Sequence, residues 1–414
     1  MRKEAFEILC QVLINDGYAS LLMRTRLEKY DEMNRAFITQ LVYGVLENYY
    51  FLNYQWQEFK QGDLPLEIEI LINMSVYQFL MLDKVPDYAN VNETVEIAKR
   101  LFHGKYSKVV NAILRNCMRQ GSKEVTGSID EVLSINTSHP LWLVKMWISH
   151  YGLETATKLC EFSLITKLMA GRVNTMVISK KDILANSLFT DGKLAPEAVY
   201  YQGNLLLSEQ YKKHQVFIQD EASQMVAHLV NPQKGESILD MCASPGTKAI
   251  QLAQMTDDEL AIICLDIHKH RVKLITDSVD ELKLKSISAK CIDAREASRE
   301  FEPSSFDVVL LDAPCSGLGV LAQKPDLKLR IKPSDIDEIV RLQQELLTSG
   351  AMMVKNGGRL IYSTCTLNKK ENEKQIEWFC QKHPNFRLVS EKTYFPMDYD
   401  TDGFYMTKLM KVSE

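Results

Sequence analysis

From Gln215 onward the sequence alternates short, continuously apolar runs with helical stretches, and no other feature restricts the fold so strongly. The runs are Ser237-Ile238-Leu239-Asp240, Ala261-Ile262-Ile263-Cys264-Leu265-Asp266, Ala289-Lys290-Cys291-Ile292-Asp293, Asp307-Val308-Val309-Leu310-Leu311-Asp312 and Arg359-Leu360-Ile361-Tyr362-Ser363. Short apolar strands that alternate with helices belong in a parallel sheet covered on both faces. Four of the five runs end in Asp. Carboxylates therefore gather along the sheet edge at which a doubly wound α/β fold holds its ligand.

The first 125 residues read differently. Apolar residues fall at helical spacing in Ala5-Phe6-Ile8-Leu9-Val12-Leu13 and Phe37-Ile38-Leu41-Val42-Val45-Leu46, which predicts an all-α bundle. Asn92 is placed to cap a helix over 93–100, whose acidic residues precede its basic ones. The polar stretch 121–128 is the best linker. Residues 126–214 are expected to form a small α+β connecting subdomain, with a Trp-bearing helix near 141–147, and residues 215–414 the α/β domain.

At 414 residues the chain is long enough for several cores. No run of eighteen apolar residues is present, and Glu7 interrupts the amino-terminal stretch, so a cytoplasmic protein without membrane contact is expected. The nine cysteines lack a Cys-x-x-Cys pair and an accompanying His pattern, which argues for reduced thiols and against a metal site. A net charge of −5 excludes a generically basic nucleic-acid binder. Any such role must rest on local patches.

The first strand runs into Cys242-Ala243-Ser244-Pro245-Gly246-Thr247-Lys248 and then a helix. Small residues and free N–H groups at a helix start let a ligand approach the backbone. The loop is neither a Walker phosphate loop nor G-x-G-x-x-G. Asp266 follows Gly246 by twenty residues, the place of a ribose-binding carboxylate, although an Asp there also serves as a helix cap. Two cysteines stand beyond later strands: Cys315 in Asp312-Ala313-Pro314-Cys315-Ser316-Gly317, and Cys365 in Ser363-Thr364-Cys365-Thr366. A thiol at a strand's carboxyl end is a candidate nucleophile, and two suggest covalent chemistry with a helper group. Nothing in the residues alone says which thiol attacks.

Asp240-x-Cys242-Ala243-x-Pro245-Gly246, Asp312-Ala313-Pro314-Cys315-Ser316-Gly317 and Ser363-Thr364-Cys365-Thr366, in this order, closely resemble segments of the S-adenosylmethionine-dependent RNA cytosine-C5 methyltransferases. Leu41-Val42-Tyr43-Gly44-Val45-Leu46 and 85–93 resemble the NusB-like domain of the family's bacterial 16S ribosomal RNA members, and His139-Pro140-Leu141-Trp142 and Gln219-Asp220-Glu221-Ala222 also match family segments. The resemblance implies a Rossmann-like methyltransferase sheet preceded by a NusB-like RNA-binding bundle. It further implies that residues 242–248 cradle the methionine part of S-adenosylmethionine, Asp266 the ribose and Asp293 the adenine. Arg271 would support the acidic cluster, or be a solvated helix charge. Cys365 is then the nucleophile that adds to cytosine C6, Cys315 assists release, Asp312 meets both cofactor and base, and Lys248 helps position the base. Because DNA cytosine methyltransferases attack through the Pro-Cys motif, the second cysteine favours RNA.

The implied partner is ribosomal RNA with an unpaired or flipped-out cytosine, bound by a monomer. Transfer RNA, another ribosomal site, or a non-catalytic assembly role are the competing readings. Lys324, Lys328, Arg330 and Lys332 follow the Cys315 loop and are candidates to clamp RNA backbone, or simply a solvated charge run. The sequence departs from the family pattern at Thr247, where Gly is usual, at the less basic 322–329, and at Leu46-Glu47-Asn48-Tyr49-Tyr50-Phe51, where an Arg-rich helix is usual. Residues 1–130 carry 15 Lys plus Arg against 17 Asp plus Glu. Tyr49 or Tyr50 could stack on bases, though core packing fits them better.

Overall fold

The computed structural model describes residues 1–82 and 86–412; of the 85–93 segment, Val85 lies outside them. The chain divides into two compact units, Met1–Ile165 with Leu321–Ile331, and Thr166–Val320 with Lys332–Glu414.

The first unit is helical, from Arg2–Leu13 through Glu32–Glu47 and Leu66–Met81 to Leu153–Phe162. Its core collects the residues at helical spacing, among them Ile8, Leu9, Ile38, Leu41 and Leu46, all fully buried. Each such side chain contributes about 1.5–3 kcal/mol by leaving water. The helix around Asn92 starts earlier than expected, at Asp87, directly after Pro86. Proline has no N–H to leave unsatisfied and its φ is already helical, so it opens the helix and Asn92 falls inside.

The stretch 121–128 is not a free linker. Gln55 donates to the Lys123 carbonyl and accepts from the Lys123 N–H, and Ser128 caps the helix Ile129–Asn136 in a capping box with Glu131. The expected 126–214 subdomain is therefore split: 126–165 packs with the helical unit and 166–214 with the other. Tyr49 and Tyr50 are half-buried in edge-to-face contact, and burial pushes the Tyr50 phenol up to about 12.

The expected phosphate clamp is also corrected. Lys328 is 2% exposed inside the helical unit, where its ammonium donates to the Glu47 carbonyl at 2.9 Å. Arg330 lies over the Tyr18 ring. Lys324 and Lys332 remain exposed.

The second unit holds two sheets. The smaller contains β1 (Met169–Val173), β2 (Phe189–Asp191), β3 (Ala198–Tyr201) and β4 (Val216–Ile218), antiparallel in the order β2-β3-β1-β4. The larger contains β5 (Ser237–Asp240), β6 (Ala261–Asp266), β7 (Ile287–Cys291), β8 (Phe306–Asp312), β9 (Val354–Thr364), β10 (Phe386–Tyr394) and β11 (Phe404–Lys411). Its order is β10-β11-β9-β8-β5-β6-β7, parallel from β9 to β7. The chain proceeds from β5 outward through β6 and β7, then returns to β8 on the other side. The carboxyl ends of β5 and β8 thus flank the topological switch point, where such sheets bind ligands.

Two findings differ from the sequence reading. β7 ends at Cys291, so Asp293 stands two residues beyond the strand and caps the turn that follows, its side chain accepting from the Arg295 N–H. The edge hairpin β10–β11 is antiparallel and was not foreseen. Most of β10 is exposed, so it lacks the apolar run that marks a central strand.

Candidate active site

Gly246 makes the ligand loop possible. It adopts φ +96 at the N-cap of the helix Thr247–Met255, a conformation that side-chain-bearing residues rarely take, and its N–H closes the turn onto the Ala243 carbonyl. Thr247 is the first helical residue, with no positive φ, so the departure from Gly-Gly leaves the turn intact. The small sheet supports this helix from behind. Arg172 on β1 is fully buried and donates to the Thr247 carbonyl and to Gln219, which in turn donates to Gln251. The 219–224 segment is thereby explained as scaffold.

Four carboxylates converge on the loop. Asp240, Asp312, Asp266 and Asp293 all act electrostatically on Cys242, whose thiol is pushed up first by burial and then by these charges. Asp266 is 7% exposed at the end of β6 and accepts the His268 N–H, while the half-exposed Arg271 approaches it only to 3.9 Å. Asp293 is clamped by the Arg295 guanidinium, whose hydrogen bonds hold it below the usual aspartate value. Asp240, 1% exposed, has no hydrogen-bond partner for either carboxylate oxygen among the described residues. Burial pushes its pKa up to about 7; the Lys248 ammonium and a weak contact from the Cys242 backbone oppose this, and Asp312 adds to it. An orphaned buried carboxylate has capacity for a cationic ligand, and the α-ammonium of a methionine-type cofactor fits that requirement.

The candidate reacting groups lie one strand further on. Lys248 donates to Asp312 Oδ2 at 2.6 Å, and Ser363 Oγ donates to Asp312 Oδ1 at 2.7 Å. Burial disfavours the Lys248 charge, yet the Asp312 carboxylate outweighs it and holds the ammonium above the ordinary lysine value. The Cys315 and Cys365 sulfurs are 3.4 Å apart. Their loops are laced together: the Gly319 N–H donates to the Cys365 carbonyl at 3.1 Å, and the Gly319 carbonyl accepts from the Gly403 N–H at 2.8 Å. A Cβ at Gly319 would run into the Gly403 backbone, so only glycine permits this approach.

Lys248, Asp312, Cys315 and Cys365 are thus gathered around the switch point, with the 242–248 loop, Asp266 and Asp293 on the β5–β7 side. Arg172 and the buried Glu371 are not singled out in the sequence, and Asp240 and Ser363 stand there only inside motifs, with no role of their own. Both carry a positional signal, Asp240 as one of the four strand-end aspartates and Ser363 as the end of the fifth run. Among the described residues no His, Cys, Asp and Glu side chains group as a metal site, and no helix is long and apolar enough to cross a membrane.

Residues 227–410 match the family described as 16S rRNA methyltransferase RsmB/F, and residues 1–119 match the NusB family. The chain is 37% identical to the "Probable ribosomal RNA small subunit methyltransferase B" of Bacillus subtilis (strain 168), over 99% of this chain and 98% of that protein. Identity to the protein of the same name from Synechocystis sp. is 31%, over 99% of each chain. The crystal structure of PH0851 shares the fold, with a TM-score of 0.84 at 22% identity over 99% of this chain and 98% of that one. With full-length identity at this level, the chain belongs to the RsmB/F methyltransferase family and carries a NusB-family segment at its amino-terminal end.

Proposed function

We propose that this protein transfers a methyl group from S-adenosylmethionine to C5 of a cytosine in 16S ribosomal RNA, through a covalent bond between Cys365 and cytosine C6. The observation that carries the reading is the pair of thiols 3.4 Å apart beside the Lys248–Asp312 couple. The family match and the names of its relatives support ribosomal RNA as substrate.

Cytosine C5 is a poor nucleophile. Addition of the Cys365 thiolate to C6 turns C5 into an enamine-like carbon; once C5 is methylated its proton passes to water, and the C5–C6 double bond re-forms as the Cys365–C6 bond breaks. Bound S-adenosylmethionine supplies the electrophilic methyl group. Residues 242–248, Asp266 and Asp293 would hold that cofactor, with Asp240 facing its ammonium. Lys248 and Asp312 position the base, Ser363 fixes Asp312, and Cys315 assists release of the adduct.

The test is incubation of the purified protein and labelled S-adenosylmethionine with naked ribosomal RNA, transfer RNA and assembled subunits, with mapping of the modified base. The expected product is 5-methylcytosine in 16S ribosomal RNA. Absence of label from every RNA, under conditions where the cofactor binds, would sink the reading; label confined to transfer RNA would change the substrate.

A further inference from the structure

The two thiols touch, yet their surroundings differ. The Lys248 ammonium and the Cys365 sulfur act on each other electrostatically. On the Cys315 side stands Glu371, 0% exposed, from the turn after β9. Its carboxylate accepts from the Ser316 N–H at 2.9 Å, Ser316 Oγ at 2.5 Å, Asn368 Nδ2 at 3.0 Å and Gln343 Nε2 at 3.2 Å. Burial pushes this carboxyl up, against those donors. Four donors around its two oxygens favour the ionised form of Glu371 against that burial.

The same carboxylate is where the two thiol loops meet. Ser316 adjoins Cys315, and Asn368 lies three residues past Cys365. Ser316 Oγ also bonds Thr366 Oγ1 at 2.7 Å, and Gln343 donates to the Pro314 carbonyl from the helix Pro333–Met353. Glu371 adds a charged link to the Gly319–Cys365 backbone bond and the Leu318–Thr366 contact that also join the loops.

We propose that Glu371 is a positioning residue for the reaction: its buried charge ties the Cys315 loop to the Cys365 loop and keeps a proton on Cys315, leaving Cys365, near Lys248, as the sulfur that ionises. The proposal rests on the reading in which Cys365 is the nucleophile. One S–H bond breaks, at Cys365, and its proton passes to solvent; Cys315 retains its hydrogen and donates it across the 3.4 Å contact. The hydrogen bond to Cys365, burial, and the charges of Cys365 and Glu371 all push the Cys315 thiol up. The other ionisable groups facing the pair are Tyr362 on β9, Asp312 at the end of β8 and Lys248 on the helix after β5. Of these, Lys248 alone is cationic, and it is paired with Asp312.

The experiment is alkylation of the folded full chain by iodoacetamide from about pH 6 to about pH 10, without RNA or cofactor, scored thiol by thiol by peptide mass spectrometry for the first modification only. Cys365 is expected to titrate at lower pH than Cys315; the reverse order overturns the proposal and requires no variant. Glu371→Gln is expected to raise the Cys315 thiolate fraction about three- to tenfold at a fixed pH below its midpoint, while Glu371→Asp, which keeps the charge, leaves the profile within about twofold. An unchanged profile in Glu371→Gln, or equal shifts in both variants, marks a merely structural residue and overturns it. Because no RNA is present, failure to form 5-methylcytosine would count against the proposed reaction and leave this measurement intact.

Discussion

Replacing Asp240 by Asn should stabilise the ligand-free protein and weaken its hold on the cofactor, and the size of the first effect follows from burial. Asp240 is 1% exposed with neither oxygen hydrogen-bonded among the described residues, and its pKa rises from the ordinary 3.8 to about 7. The folded protein therefore keeps a proton that the unfolded chain gives up between those values. Stability is fully present below pH 3.8 and is lost as pH rises through about 7. A displacement of about three on the pH scale, at about 1.4 kcal/mol for each, amounts to about 4 kcal/mol above pH 7. Asn has the same shape without the charge and escapes this penalty.

The assay is urea unfolding of the unsubstituted and Asp240→Asn proteins, followed by hydrogen exchange of the β5 amides so that the second unit is read by itself. The stability difference should grow from about 1 kcal/mol near pH 4.5 to about 4 kcal/mol near pH 8. Calorimetry with S-adenosylmethionine supplies the other half: affinity of the unsubstituted protein should fall about tenfold per pH unit as Asp240 protonates below about 7, and Asn should remove that slope. A stability difference independent of pH would refute the buried, orphaned carboxylate. Undiminished cofactor affinity in the variant would refute its role toward the ammonium group.

Three further outcomes are expected. Lys328, whose pKa burial lowers from 10.5 to about 7 against the Glu47 and Cys160 charges, makes the helical unit gain stability as pH rises from about 7 toward 10.5; Lys328→Met should flatten that rise and stabilise the unit by about 2–4 kcal/mol at pH 6, and a preserved slope in circular-dichroism unfolding would contradict it. Gly319→Ala, which drives a Cβ into the Gly403 backbone, should lower methyl transfer more than about a hundredfold while cofactor affinity, from equilibrium dialysis, stays within about threefold, and retained turnover would show that the two loops need not meet. Cys365→Ala should abolish transfer whereas Cys315→Ala should leave RNA covalently attached on denaturing gels; the opposite pattern would exchange the roles of the two thiols.

Much of the fold was legible because its cues are local. Ile238-Leu239, Ile262-Ile263 and Val308-Val309 each pack on both faces of the sheet, and a residue run of that kind needs no distant partner to be recognised. β10 gave no such cue, since its residues are mostly exposed and its pairing with β11 is decided by a strand close to the carboxyl end. The polar stretch 121–128 misled for the same reason in reverse. Its composition is that of a linker, but Gln55, nearly seventy residues earlier, supplies both partners for the Lys123 backbone. Lys328 is the sharpest case: a basic residue in a basic run reads as solvated, and only the tertiary structure provides the Glu47 carbonyl and the burial that remove it from solvent.

The candidate site divides along the same line. Residues that meet a ligand must stand at strand ends or in small-residue loops, so Asp266, Asp312, Cys315, Cys365 and the 242–248 segment could be found by position. Residues that decide how those groups behave stand elsewhere. Glu371 lies six residues past Cys365 in a Lys-Lys-Glu-Asn-Glu-Lys run that reads as surface, yet it is the most buried carboxylate near the thiols. Arg172 lies on another sheet and still holds the Thr247 carbonyl. Such charges are costly to bury, by several kcal/mol each, and hydrogen bonds offset that cost: both Glu371 oxygens are bonded, whereas Arg172 keeps Nε and Nη2 without a partner among the described residues. The partners come from segments distant in sequence, Ser316 and Gln343 for Glu371 and Gln219 and Thr247 for Arg172, which is why sequence order conceals them. It follows that the identity of the attacking sulfur is a property of the assembled surroundings: two cysteines in similar loops differ because one has Glu371 beside it and the other has Lys248.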